Sequence, residues 1–286
     1  MSPTLADPAT CAIDFATRVR SGVGSGVAED GKVDACIMQR AWLRAWCREH
    51  PDSPLADIVS ERIPDTHPTV SPVINRFMIS LNDGLPDEPR QRLVAYEERV
   101  LGTRTTDADE DRRAWLCTDW IVRTFAPAWL RKAGLVAEAD ALVALPELNS
   151  VELAEAANPI ITRAKDADAR AARDARAARA ARAAGAAWAA RAAWAARDAW
   201  DARDAWAARA AWDARDAWDA RDAWDAWDAG SDSVLSIAYE AAKGKPNYDA
   251  ARKAAEAALA ETTAELEDGL FDLLDRLIAV GQVVAA

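Results

Sequence analysis

Twenty consecutive triplets run from Arg170 to Ala229, each closing on alanine, and no other stretch limits so severely what this chain can fold into. The first residue of each triplet is Arg or Trp, with Gly185 the one exception, and the second is Ala or Asp. Trp recurs every six positions at Trp188, Trp194, Trp200, Trp206, Trp212, Trp218 and Trp224, with Trp227 added at the end. Midway between them stand Arg191, Arg197, Arg203, Arg209, Arg215 and Arg221. A block of Ala, Arg, Asp and Trp without proline has helix as its only regular structure of adequate propensity. Its alanine content and odd period exclude a strand.

Three residues turn an α-helix by about 300°, so the Arg/Trp ridge winds around the axis by roughly 60° per triplet and leaves no single apolar face. In a 3₁₀-helix the same ridge runs straight, with Arg/Trp on one edge, Ala on the second and Ala/Asp on the third. Stacked Trp and Arg would supply cation–π contacts of about 0.5–1 kcal/mol each when exposed, but i,i+3 neighbours also meet on an α-helix. Long 3₁₀ runs are rare, so the spacing predicts an α-helix from about Ala186 to Ala229, with 3₁₀ as the alternative and any break at or before Gly185. A rod over the whole of Arg170–Ala229 spans about 90 Å as α and about 120 Å as 3₁₀. Neither suits a compact globule, whose radius of gyration at this size is about 19 Å. Slippage within a short GC-rich DNA repeat accounts for the regularity without selection. It does not account for eight Trp, which on a bare rod would form apolar patches that soluble monomers rarely carry.

The block's eleven Arg and ten Asp leave it at +1, so the flanking segments carry −13 of the chain's net −12. That balance disfavours nucleic acid and anionic membranes as partners. Near-cancellation along the rod also argues against imitation of DNA. Cys11, Cys36, Cys47 and Cys117 are irregularly spaced, without a CxxC pair, and are expected to be reduced. The opening MSPTLADPAT has no basic or apolar leader character, and no charge-free run of eighteen apolar residues occurs, so a cytoplasmic protein is expected.

Four segments are expected. Residues 1–31 contain the Gly/Ser-rich SGVGSGVAEDG and read as flexible; no Gly-Lys-Ser/Thr follows its glycines, so they do not form a phosphate loop. Residues 32–165 read as a bundle of short helices. The first spans about Lys32–Arg48; a second is started by Ser71 with Pro72 and ended by Asn82-Asp83-Gly84; a third runs from Glu88 to Leu101. A fourth opens at Thr106 or Asp107, and Pro127 restarts the chain as a fifth, with a sixth over Val136–Leu145 and a seventh capped by Asn149. The repeat rod occupies 166–229. Residues 230–286 form a C-terminal helical hairpin, whose Leu-rich helix over Asp249–Val280 is expected to pack back along the rod or along the rod of a second subunit.

Candidate chemistry is sparse. Cys47 with His50, and His67, suggest a zinc site only weakly, since no second ligand pair accompanies them. Asp119 beside Trp120, and Asp107 to Asp111, offer carboxylates, the latter better explained as a solvated helix start. Arg170, Arg173, Arg176, Arg179 and Arg182, relieved only by Asp174, form a basic start to the rod suited to anion binding, or to pairing with the acidic flanks. No metal and no cofactor is expected.

From Ser71 onward the chain resembles a group of uncharacterised Ala/Trp-repeat proteins of actinobacteria and their phages. The resemblance rests on Ser71-Pro72-Val73-Ile74 with Phe77, Asn82-Asp83-Gly84-Leu85-Pro86-Asp87 with Arg90 and Leu93, and Leu101-Gly102-Thr103-Arg104. It continues through Arg113-Ala114-Trp115, Asp119-Trp120, Pro127-Ala128-Trp129-Leu130, the repeat, and Leu273-Leu274-Asp275-Arg276-Leu277. Those proteins mix three- and four-residue spacings where this repeat keeps to three, and the resemblance implies no functional residue.

The expectation is therefore an all-α chain: an N-terminal bundle of short helices, a triplet-repeat rod and a C-terminal helical hairpin. The expected function is non-enzymatic, assembly through the Trp/Arg ridge with a second copy or another helical protein. Capture of a nucleotide or small anion between Arg and Trp is the alternative.

Overall fold

The computed structural model describes residues 13, 15, 17–21, 26–27, 31–51, 63–174, 237–238, 241, 245 and 248–282. The fold is mostly helical. A minimal antiparallel pair, β1 (Gly26–Val27) and β2 (Val33–Asp34), precedes α1 (Ile37–Glu49). Then follow α2 (Pro72–Gly84), a single α turn α3 (Asp87–Arg90), α4 (Asp107–Trp120), α5 (Ala126–Lys132), α6 (Val136–Val143), α7 (Val151–Asp174) and α8 (Tyr248–Ala279).

Local signals set several of these ends. Ser71 Oγ accepts from Ile74 N–H at 3.2 Å and Pro72 occupies the first helical position, so α2 begins where its residues predict. Thr106 and Asp109 form a reciprocal capping box at the start of α4.

Elsewhere tertiary bonds override local pattern. The helix expected over Glu88–Leu101 is the α3 turn followed by a 3₁₀ segment, Gln91–Tyr96. Gln91 Nε2 donates to Asp87 C=O at 3.1 Å, taking the acceptor that an α-helix reserves for the Gln91 backbone; that N–H turns to Glu88 C=O instead. Asn82 does not end α2 in a turn. It is buried, and its Oδ1 accepts from Ile37 N–H at 3.2 Å, capping α1 from a neighbouring helix. Helix α1 accordingly starts at Ile37 and not at Lys32, whose neighbours Val33 and Asp34 pair in β2. Pro127 does not restart the chain. Lacking an N–H for the Arg123 carbonyl, it is accommodated by a π-turn over Ile121–Phe125, in which Ala126 N–H reaches Ile121 C=O, and α4 passes through it into α5. Helix α7 is led in by Ser150, whose Oγ faces Leu153 N–H at 3.4 Å, and not by Asn149. It crosses the expected boundary at residue 165 without a break and enters the first triplets.

One apolar core joins α2, α4, α5, α6, α7 and α8, with Phe77, Phe125, Trp129 and Leu130 at its centre. On α8 the buried positions Leu259, Leu266, Leu270, Leu273, Leu274, Leu277 and Ile278 follow three- and four-residue spacing and belong to this core. The Leu-rich helix is thus a wall of the bundle, packed on α2, α4 and α5, where the sequence had led us to place it along the rod. The N-terminal segment is also used: Val19 joins the main core, while Ile13 and Val27 join a smaller cluster with Val33, Leu43 and Ile63. Cys47 is disulfide-bonded, whereas Cys36 and Cys117 are free and buried. Spacing did not reveal this, because bridge formation depends on tertiary proximity.

Two glycines mark close approaches to α8. Gly269 faces the Trp120 indole, whose Nε1 would lie 3.3 Å from an added Cβ; Gly281, at φ 75°, would set one 2.7 Å from Thr105 Oγ1. We expect Gly281→Ala to lower stability by about 2–3 kcal/mol, from left-handed strain plus overlap, and Gly269→Ala by about 1 kcal/mol. Thermal melts of the two variants check this order; equal stability of all three proteins would show that α8 ends more loosely than described.

Candidate functional site

The chain enters the repeat from α7 and returns through α8, so the residues that hold these two helices fix both ends of the segment expected to act. On α7 the buried face is Ala154, Ala157, Ile161, Ala164 and Ala167, a 3–4 pattern of small residues permitting close packing. Past the repeat, Ala238 is already buried in the main core, ahead of α8. Both flanks of the repeat therefore belong to one domain.

Two ionic knots hold these attachments, and a third fastens the N-terminal segment. The first lies at the end of α8. Arg113 is wholly buried; its Nε donates to Leu277 C=O at 3.0 Å and its Nη2 to Val280 C=O at 2.6 Å, satisfying carbonyls that a helix C-terminus leaves unpaired. Arg113 Nη1 donates to Glu110 Oε1 at 2.6 Å, and Glu110 Oε2 accepts from Ser71 Oγ at 2.5 Å. Ser71 N–H donates to Thr103 Oγ1 at 3.0 Å. Burial pulls the Arg113 guanidinium below its ordinary value while Glu110 and Asp109 oppose that pull.

The second knot leads into α7. Asp119, buried, accepts from Arg123 Nε at 2.6 Å and Nη2 at 3.0 Å, and from Leu148 N–H at 2.9 Å. Arg123 Nη1 reaches Leu145 C=O at 3.2 Å. The hydrogen bond that Arg123 donates to Asp119 raises its guanidinium further above its already high value. The third fastens the N-terminal segment: Glu97 accepts from Arg40 Nε and, at 2.9 Å, from Arg44 Nε, while Arg40 also donates to Phe15 C=O at 2.8 Å and Thr17 C=O at 3.0 Å. The Arg44 guanidinium lies 3.7 Å from the Phe15 ring centroid.

Each of these buried carboxylates is held by donors that join separate parts of the fold. Asp119, singled out from sequence as an available carboxylate, proves to be the anchor of a corner. Cys47, being disulfide-bonded, offers no thiolate to a metal, and His50 stacks on Trp46 with centroids 5.0 Å apart. His67 Nδ1 accepts from Thr69 N–H at 3.3 Å, and burial lowers its pKa. Among the described residues no group of three or more His, Cys, Asp or Glu side chains converges as a metal would require.

Of the residues expected to act, Arg170 and Arg173 fall in the last turns of α7. Arg176, Arg179 and Arg182 lie outside the described residues. So do Trp188, Trp194, Trp200, Trp206, Trp212, Trp218, Trp224 and Trp227, and Arg191, Arg197, Arg203, Arg209, Arg215 and Arg221. Sequence reading missed Arg40, Glu97, Glu110 and Arg113. A signal existed for the pair on α4: Glu110, Arg113, Cys117 and Trp120 fall on one helical stripe whose other members are core residues. Charges there must be either wrongly placed or fully paired. No family model, curated protein or solved structure matches this chain.

Replacing Arg113 by Leu leaves Glu110 buried without its cation and two carbonyls without donors. The expected loss is about 3–5 kcal/mol, read as a lower urea midpoint at unchanged slope. Arg131→Leu, which removes an exposed pair with Asp140 of 2.7 Å, should cost no more than about 1 kcal/mol. Equal effects would contradict the clasp assigned to Arg113.

Proposed function

We propose that the chain is a non-enzymatic interaction protein that assembles through its Trp/Arg triplet repeat, with the helical bundle as the mount holding both ends of the repeat. What supports this reading is the use already made of the apolar surface. A Trp side chain carries about 150–250 Å² to be buried, so eight of them exceed the few hundred Å² of contiguous apolar surface that a soluble monomer exposes. The Leu-rich face of α8, the natural cover within the chain, is spent on the bundle core. The large hydrophobics exposed among the described residues are only Val94, Val136 and Val143, too little to receive the ladder. Other triplets are the cover that fits best, with a second copy of the repeat as the symmetric source and another helical protein as the alternative.

Among the described residues no helix is long and apolar enough to cross a membrane. Cytoplasm is the setting the sequence suggests; the disulfide at Cys47 fits an oxidising one better.

Sedimentation velocity on the full chain tests the reading: a concentration-dependent dimer or larger species is expected. Trp200→Ala, Trp206→Ala and Trp212→Ala together should weaken association by roughly 100-fold or more, since central aromatic anchors cost about 2 kcal/mol or more each. A wild-type monomer at every concentration with quenched, buried Trp would refute it. Capture of a nucleotide or anion by the repeat would instead raise the melting temperature with added ligand and leave the sedimentation unchanged.

A further inference from the structure

Apart from the repeat, the bundle carries a groove lined by charged side chains. Open to solvent, it offers about 630 Å³ between the residues before β1, strand β2 and the start of α3. Arg18, Arg20, Lys32 and Arg90 line it against the carboxylates of Asp34 and Asp87. With Glu88, which also pairs with Arg18, four cations meet three carboxylates here.

The two arginines are held in a defined arrangement. Val19, between them, is buried in the main core, so in this non-helical stretch the flanking side chains both turn outward. The Val19 backbone is clamped on both sides by one amide: its N–H donates to Gln91 Oε1 at 2.9 Å and its C=O accepts from Gln91 Nε2 at 3.1 Å. Arg20 N–H donates to Ala35 C=O at 3.3 Å. A side chain thus does what a neighbouring strand would do, and Arg18 and Arg20 project as a fork about 7 Å apart at the backbone.

Their present partners are exchangeable. Arg18 Nη2 is shared between Asp87 at 2.9 Å and Glu88 at 3.0 Å, and Arg20 Nη1 pairs with Asp34 at 2.6 Å. The arginine side chains remain 55% and 64% exposed, and exposed ion pairs are weak. Arg90, by contrast, is fixed on the floor. Its Nε donates to Asn82 C=O at 2.6 Å and its Nη2 to Leu85 C=O at 2.5 Å, while its one carboxylate contact, Asp87 at 3.3 Å, is the residue that also serves Arg18. Asp87 is thus divided between two guanidinium groups, with Glu88 reaching only Arg18, and an oxyanion with several acceptor oxygens could engage both arginines at once.

The geometry points to a binding site for a compact phosphate or diphosphate group in this cleft, gripped by Arg18 and Arg20 with Lys32 at its rim and Arg90 beneath. It is separate from the repeat and does not depend on its assembly. Calorimetric titration of the full chain with inorganic pyrophosphate and with ADP, at low salt, is the test. Saturable binding of both is expected, weakening as salt rises. Equal affinities identify the phosphates as the whole ligand, and tighter ADP shows that the cleft also holds the organic part. Arg18→Gln with Arg20→Gln should weaken binding at least tenfold. Arg18→Lys with Arg20→Lys, which keeps the ion pairs but not the fork, should fall between them and wild type. Replacing Arg170, Arg173, Arg176, Arg179 and Arg182 by Gln should change nothing. Absence of saturable binding, indifference to the Arg18 and Arg20 substitutions, or loss of binding only in the repeat variant would each overturn the assignment.

Discussion

Arg113 does for the end of this chain what a cap residue does for the end of a helix, but from another helix and from inside the core. The last turn of α8 presents Leu277 and Val280 carbonyls to the interior, and one guanidinium takes both while resting on Glu110. Its planar fork suits this task, since two parallel acceptors fix its plane and its depth together. Through Glu110 the same contact reaches Ser71, the cap of α2, so the start of one helix and the end of another are set by a single buried chain of hydrogen bonds. A helix returning after a long inserted segment has lost the guidance of sequence neighbours. Its register along the bundle then has to be specified by contacts of this directional kind, because a stripe of leucines alone tolerates a slip of one turn.

The other knots work on the same principle at different seams. Asp119 and Arg123 straddle the join of α4 and the π-turn and hold the 145–148 corner that aims α7, while Arg40 and Glu97 bring the N-terminal residues onto α1. A buried ion pair often contributes little net stability compared with a well-packed apolar substitute. What these pairs contribute is uniqueness: each donor and acceptor has a geometrically particular partner, and an alternative packing would strand a charge. That property matters where many helices are short and rich in alanine, since alanine faces discriminate poorly between neighbouring registers.

How far the sequence discloses all this depends on whether a signal is local. The all-α class, the Ser71-Pro72 start of α2 and the Thr106 box of α4 are legible because each is written within four residues. Gln91 is not, because its amide matters only once Val19 lies beside it, 72 positions away in the chain. Asn82 was read as turn chemistry for the same reason, its true partner being the N-terminus of another helix. The most instructive case is α8. Its leucines were legible as needing cover, but an apolar stripe does not name its partner, and the regularity of the repeat drew the expectation toward the rod and away from the bundle. The cleft residues Arg18 and Arg20 carry no motif at all, being brought into relation by the Gln91 clamp.

The repeat and the bundle place opposite demands on the chain. A unit of six residues can be gained or lost without altering the composition of the ridge, yet both flanks of the repeat are tied to one domain through α7 and α8. On an α-helix six residues advance the phase by about 600°, a net rotation of about 240°, so each added unit would turn the far end of the repeat well away from its former facing. On a 3₁₀-helix six residues complete two turns, and the facing is preserved. Between the last triplet and α8 the sequence holds Gly230-Ser231-Asp232-Ser233 and Gly244-Lys245-Pro246-Asn247, residue types that suit turns and adjustable connections. An α-helical repeat needs such an adjustable joint if its copy number is to vary while α8 keeps its seat on Arg113; a 3₁₀ repeat needs only extra reach.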